Sequence, residues 1–206
     1  MSLELWSSFV VLALVAVFSP GPAVLLAVTH AAQFGVRRAV FPILGNITGL
    51  AILVGLTAYG LGSVLEGSSQ WFLGLRIAGG VYLIYLGIKL LRAKSFDLSN
   101  AQTLSVQPSR RKSYLQGVIV ALSNPKAILF IGALFPQFID LTQPLWTQLG
   151  IMGLTLMSMS FGGLIMWAAL SGALIAKGRK ALYGKINKVS GALFIAFGAA
   201  LAAGSR

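Results

Sequence analysis

Apolar residues run along this chain in long stretches, and polar residues gather between them. Six stretches stand out, at about residues 4–34, 39–64, 71–92, 114–138, 146–176 and 187–204. Each is far longer than a strand, and none alternates with the period of two that a half-buried strand shows. A helix needs about 20 residues to cross the hydrocarbon core of a bilayer. The pattern therefore predicts an all-α integral membrane protein with six transmembrane helices, and it excludes a transmembrane β-barrel. Residues 1–5, MSLEL, lack the basic stretch that opens a cleaved signal, so the first helix is expected to be retained.

Two stretches carry an interruption. Residues 18–26 read FSPGPAVLL and residues 122–130 read LSNPKAILF. Laid over each other without gaps, Ser19 meets Ser123, Pro20 meets Asn124, Gly21 meets Pro125 and Pro22 meets Lys126. Ala23, Val24 and Leu25 then meet Ala127, Ile128 and Leu129. A proline inside a helix removes a donor and clashes with the preceding turn, at a cost of about 3 kcal/mol. Asn124 is a good N-cap, and Pro125 suits the first position of a new helix. Helices 1 and 4 are thus predicted to break near the middle of the bilayer. Each opens a half of three helices, and three crossings are odd. The second half then enters from the opposite side, which makes the halves inverted repeats. A single domain, 1–206, divides into halves of about 1–92 and 113–206, joined by a linker at 93–112 that reads as a solvated tether.

Charge fixes the orientation. Only 10% of the 206 residues are charged and 57% are hydrophobic, against about 25% charged in a soluble domain. Arg37, Arg38, Lys89, Arg92, Lys94, Arg110, Arg111, Lys112, Lys177, Arg179, Lys180, Lys185 and Lys188 all fall around the odd-to-even connections. The positive-inside rule puts those connections, the linker included, in the cytoplasm and both termini outside. The net charge of +12 lies between apolar runs and not on one face of a soluble fold, so it does not point to nucleic acid. There is no cysteine, and hence no disulfide and no thiolate metal site.

Irregular backbone at mid-depth persists only when buried in protein or lining a wet cavity. The amides of a half-helix N-terminus suit a carboxylate, and the carbonyls ending the half-helix before it suit an ammonium. Ser19, Pro20, Gly21, Pro22, Ser123, Asn124, Pro125 and Lys126 are therefore candidates to bind a zwitterion, with Asn46, Thr48 and Gln33 as further polar candidates along the cavity. Lys126 is the sharpest of them. A lysine at the bilayer centre costs at least about 2.5–3.5 kcal/mol, and no acid lies at its depth. A substrate carboxylate, gating between the halves, snorkelling, or pairing with carbonyls would each account for it. His30, the one histidine, is a candidate for proton coupling. Gly45 and Gly49 form a GxxxG expected to pack helices within the chain. Trp6, Trp71 and Trp146 sit where an outer aromatic belt would fall. The FPQF at 135–138 reads equally as an outer gate or a helix stop. There is no phosphate-binding loop, no Ser/His/acid set, no Cys/His cluster and no HExxH. Neither an enzyme nor a cofactor is expected.

PGPAVLL, FGVRRAVFPILGNITG, LRIAGGVYLIYLGIKLLRA, LSNPKAILFIGALFPQFID and NKVSGALFIAFGAALA together resemble the LysE/RhtB family of bacterial amino-acid exporters, over nearly the whole chain outside the linker. The resemblance implies a secondary transporter of the bacterial inner membrane. It would export an amino acid or derivative by alternating access, driven by a coupling ion expected to be the proton. The family commonly has Asn after Pro-Gly-Pro, where this chain has Ala23. It often has an acid or His after the GxxxG, where this chain has Leu50-Ala51-Ile52. These departures favour a small neutral amino acid over lysine or arginine. The alternative is a metal-ion or other small-solute exporter on a similar scaffold. The sequence leaves the oligomeric state open.

Overall fold

The computed structural model describes residues 1–65, 69–92, 107–140, 142–176 and 180–203. Among them the chain is helical throughout. The elements are α1 (Leu3–Phe18), α2 (Pro22–Phe34), α3 (Val36–Leu65), α4 (Ser69–Arg92), α5 (Arg110–Leu122), α6 (Pro125–Leu129), α7 (Leu145–Ala176) and α8 (Lys180–Ala203). A π-helical turn, Phe130–Leu134, and a 3-10 turn, Phe135–Phe138, continue α6. Pro136 has no N–H to offer the carbonyl four residues back, and the ladder leaves the α register on both sides of it.

Both predicted breaks are present. The axis bends by 51° between α1 and α2 and by 52° between α5 and residues 125–138. A proline stands at the first position after each break: Pro22 follows Gly21, and Pro125 follows Asn124. The Asn124 side chain accepts from the Lys126 amide at 3.0 Å. It thereby satisfies one of the amides that the break leaves without a partner. At 1.5 Å per residue, the 13 residues of α5 span about 20 Å. Its first turn is Arg110-Arg111-Lys112, so the break falls well inside the apolar layer.

Among the described residues, two helices are long and apolar enough to cross a membrane alone, Val36–Gly60 and Leu145–Ser171, and each bent pair passes the same test as one span. The helix starts differ from expectation. A single residue, Gly35 with φ of 83°, turns α2 into α3, so Arg37 and Arg38 lie in the first turn of α3 and not in a loop. Arg110 to Lys112 open α5, capped by the Ser109 hydroxyl on the Lys112 amide. Lys180, Lys185 and Lys188 belong to α8. Charge marks the end of the apolar layer, not the end of the helix. Linker residues 93–106 and the side chain of Trp71 lie outside the described residues.

Small residues bring the helices together. A Cβ on Gly117 would collide with the Pro42 carbonyl oxygen, and one on Gly45 with that of Tyr114, so α3 and α5 touch backbone to backbone. Close approach of this kind is what small residues provide between membrane helices. The GxxxG of α3 is thus used within the chain, as expected. Helix α4 packs along α8, and α7 lies against α1, α2 and α3. Large apolar side chains such as Leu56, Ile119, Leu154 and Val189 point outward, as lipid contact requires. The interior holds Phe9, Leu12, Ile131, Leu134, Phe135 and Phe194.

The candidate site at the broken helices

The site begins with a missing donor. In an unbroken helix the Ala16 carbonyl would accept from the amide of residue 20, but residue 20 is proline. Beyond it, the Ser19 carbonyl lies at the C-cap of α1. The Lys126 ammonium donates to both: Nζ is 2.9 Å from the Ala16 oxygen and 2.7 Å from the Ser19 oxygen. A cation from the second half thus sits on the negative end of a half-helix from the first, where the dipole favours it. Gly21 makes the approach possible, because a Cβ there would lie 3.3 Å from Lys126 Nζ. Of the sequence readings of Lys126, pairing with carbonyls is the one this conformation displays, and the carbonyls belong to the opposite half.

Lys126, Gly21 and Asn124 line two cavities at once. One, of about 400 Å³, is also lined by Ser19, Pro20, Pro22, Tyr82, Tyr85, Leu86, Lys89, Leu90, Pro125, Leu129 and Asn187. Its lining includes Lys89, in the last turn of α4 with Arg92, and Asn187 of α8, which lies between Lys185 and Lys188 in the chain. Its size falls in the range of small-molecule sites, about 300–1,000 Å³. The other is about 60 Å³, lined among others by Asn46, Leu50, Phe130, Ser160 and Leu164. It has room for a few waters and no more. Beyond Phe130 the way is filled by rings: Phe9 packs edge-on against Phe135 and Phe138, each at 5.4 Å, and against Phe130 at 6.5 Å.

The sequence candidates divide between these surroundings. Ser19, Pro20, Gly21, Pro22, Asn124, Pro125 and Lys126 all reach the larger cavity, and Asn46 the smaller. Ser123 turns away and donates to the Ile119 carbonyl of its own helix. His30 lines neither of these cavities. It is buried between α2 and α5, with Nε2 3.2 Å from Gln116 Oε1 and its ring edge-on to Phe34. Thr48 accepts from the Tyr114 hydroxyl at 2.8 Å. Tyr82, Asn187 and Ser160 were not legible as site residues. Tyr82 donates to the Pro125 carbonyl at 3.3 Å, directly at the break. Neither cavity is lined by an Asp or Glu. No group of three or more His, Cys, Asp or Glu that could hold a metal occurs among the described residues.

Comparison with known proteins gives the family of the chain. A family described as LysE type translocator matches residues 14–205. A homoserine/homoserine lactone efflux protein of Salmonella typhimurium is 37% identical over 205 residues, 98% of each chain. A leucine efflux protein of the same organism is 34% identical over 204 residues, 97% of this chain and 95% of that one. An uncharacterized membrane protein of Vibrio cholerae is 30% identical over 203 residues, 98% of each chain. No solved structure matches.

Proposed function

Because the chain belongs to the LysE type translocator family, and so is a multi-pass membrane efflux transporter and not an enzyme, we propose that it exports a small neutral amino acid with a free carboxylate, and that Lys126 receives that carboxylate. The relatives' names offer two substrate chemistries, an amino acid and a homoserine lactone. They differ at one group: a lactone is a cyclic ester and has no carboxylate. One observation favours the acid. The Lys126 ammonium stands at the boundary of both cavities and is held there, among the described residues, by neutral carbonyls. A carboxylate is the stronger partner for an ammonium, since its full negative charge adds a Coulombic attraction that a neutral carbonyl lacks.

The mechanism follows from that exchange. Substrate enters the larger cavity from the basic, cytoplasmic end. Its carboxylate draws Lys126 off Ala16 and Ser19. The carbonyls left behind lose their donor, and the hinge at residues 19–22 is free to change its bend. The small chamber widens towards Asn46 and Ser160, and the rings of Phe9, Phe130, Phe135 and Phe138 part to the outside. In this reading α4 and α8 are the third and sixth spans, both termini lie outside the inner membrane, and the halves are inverted repeats. The nearly equal bends support the repeat, as do the contacts of α4 with α8 and α3 with α7, which join corresponding helices across a two-fold axis. The proton is the expected coupling ion. His30, at the seam of α2 and α5, is its candidate carrier.

Proteoliposomes loaded with a mixture of amino acids and homoserine lactone, under an imposed proton gradient, test the proposal. Neutral amino acids should leave and the lactone should stay. Preferential loss of the lactone, or efflux indifferent to the gradient, would overturn the reading of substrate or of coupling respectively.

A further inference from the structure

Two residues that line the larger cavity carry polar atoms that the packing leaves without a partner. Ser19 Oγ and Asn187 Oδ1 are both buried, in residues 0% and 4% exposed, and neither has a hydrogen-bond partner among the described residues. A buried acceptor without a partner destabilises the fold, so native proteins rarely keep one without a use. These two line the same cavity as Lys126. One comes from the break in the first helix and the other from the second turn of α8. Between them the wall is apolar: Leu86, Leu90, Leu129 and the rings of Tyr82 and Tyr85, whose centroids lie 6.2 Å apart.

We propose that Asn187, with Ser19, is the receptor for the substrate's α-ammonium, and that the cavity holds an aliphatic α-amino acid with its carboxylate on Lys126 and its side chain on the Tyr82–Leu86–Leu90–Leu129 wall. The inference rests on the carboxylate reading of Lys126 and adds the other end of the molecule. An ammonium has three N–H donors and needs acceptors. With no acid along this cavity, the amide oxygen of Asn187 and the hydroxyl oxygen of Ser19 are side-chain acceptors that the packing leaves unused. An aromatic face nearby favours a cation as well. Acceptors without formal charge bind a zwitterion without holding the side-chain cation of lysine or arginine, and the wall gives such a cation no carboxylate.

The test is efflux from proteoliposomes of three probes of one shape: leucine, its α-hydroxy acid analogue without the ammonium, and leucinamide without the carboxylate. The parent protein should export leucine and discriminate against the hydroxy acid by about ten- to a hundred-fold, the scale of losing a charged hydrogen bond. Asn187→Leu should remove that discrimination by slowing leucine alone, and it should melt no lower than the parent, because it deletes an unpartnered acceptor. Asn187→Asp should keep leucine export and reject the anionic hydroxy acid further. Equal loss of both probes in Asn187→Leu, or failure of leucine to be exported at all, overturns the inference. If Asn187→Leu folds poorly, Asn187→Asp decides alone: loss of leucine export there also overturns it. The leucinamide arm reads the premise separately. Leucinamide exported as fast as leucine would sink the carboxylate assignment to Lys126 while leaving the Asn187 result to stand or fall by itself.

Discussion

Lys126→Met removes the ammonium and keeps the length of the side chain, so it separates what the lysine does for the fold from what it does for transport. Two charged hydrogen bonds are lost, at 2.9 and 2.7 Å, each contributing about 1.5–3 kcal/mol. Against that, a lysine no longer has to be held at depth, which relieves about 2.5–3.5 kcal/mol. The two nearly offset. Net destabilisation should fall between roughly zero and 3 kcal/mol, and the variant should insert and remain folded. Transport has no such offset. Losing one carboxylate–ammonium contact of about 1.5–3 kcal/mol slows efflux about ten- to a hundred-and-fifty-fold. Denaturation followed by tryptophan fluorescence gives the first quantity, and proteoliposome efflux of a neutral amino acid gives the second. Efflux at the parent rate in a stable variant refutes the carboxylate role. A variant that cannot be recovered folded refutes the energy balance and makes Lys126 a strut.

Three other outcomes are expected. Gly45→Ala forces a Cβ into the Tyr114 carbonyl, and overpacking of this kind costs about 1–3 kcal/mol; unfolding at a lower denaturant concentration, partly restored by no change in α5 side chains, checks that the clash is with backbone. Phe9→Ala empties the centre of the ring cluster at about 3–5 kcal/mol, and liposomes bearing it should leak amino acid without a gradient; tight vesicles would show that the rings are not the outer barrier. In the loop before α7, the Asp140 carboxyl is held below its ordinary range by the Thr142 hydroxyl and amide. Its folded pKa is depressed, so its contribution is complete above the unfolded value of about 3.9 and is lost as pH falls through the folded one. Melting curves of Asp140→Asn and the parent should therefore converge below pH of about 3.9 and separate above it; curves that stay equally far apart on both sides would refute that.

The breaks were legible because proline and glycine act on the backbone locally, wherever the rest of the chain lies. The same local rule also predicted the Asn124 cap. What the sequence hid was which group would answer the broken helix. Its signal was present in the spacing of Ala16 and Pro20, which names the carbonyl that loses its donor, but nothing local says that the replacement comes from Lys126, 110 residues away. Asn187 was hidden for a different reason. A single amide near the polar end of a membrane helix looks like any boundary residue until the opposite wall is known. Ser123 matches Ser19 in the aligned motifs, yet one hydroxyl bonds its own helix and the other, in a residue that lines the cavity, is buried with no partner among the described residues. The motifs match in sequence, but the second carries the cation and the first carries the carbonyls that receive it, so their surroundings cannot be the same.

On the proposed reading, that asymmetry bears on how a cavity lined by no Asp or Glu would move a zwitterion. Were a carboxylate side chain facing Lys126, the pair would be strong and closed, and a substrate carboxylate would have to displace a charge of its own kind. Carbonyls hold the ammonium with two neutral acceptors, a contact firm enough to keep a lysine inside a membrane and weak enough for a passing carboxylate to win. Pro20 is then as necessary as Lys126, because an amide at that position would satisfy the Ala16 carbonyl within the helix and leave the ammonium with Ser19 alone. Pro20→Ala should on this argument let the residue-20 amide take the Ala16 carbonyl, weaken the hold on Lys126 and slow efflux, while a variant that restores the amide but exports at the parent rate would show that the carbonyls play no part in the cycle.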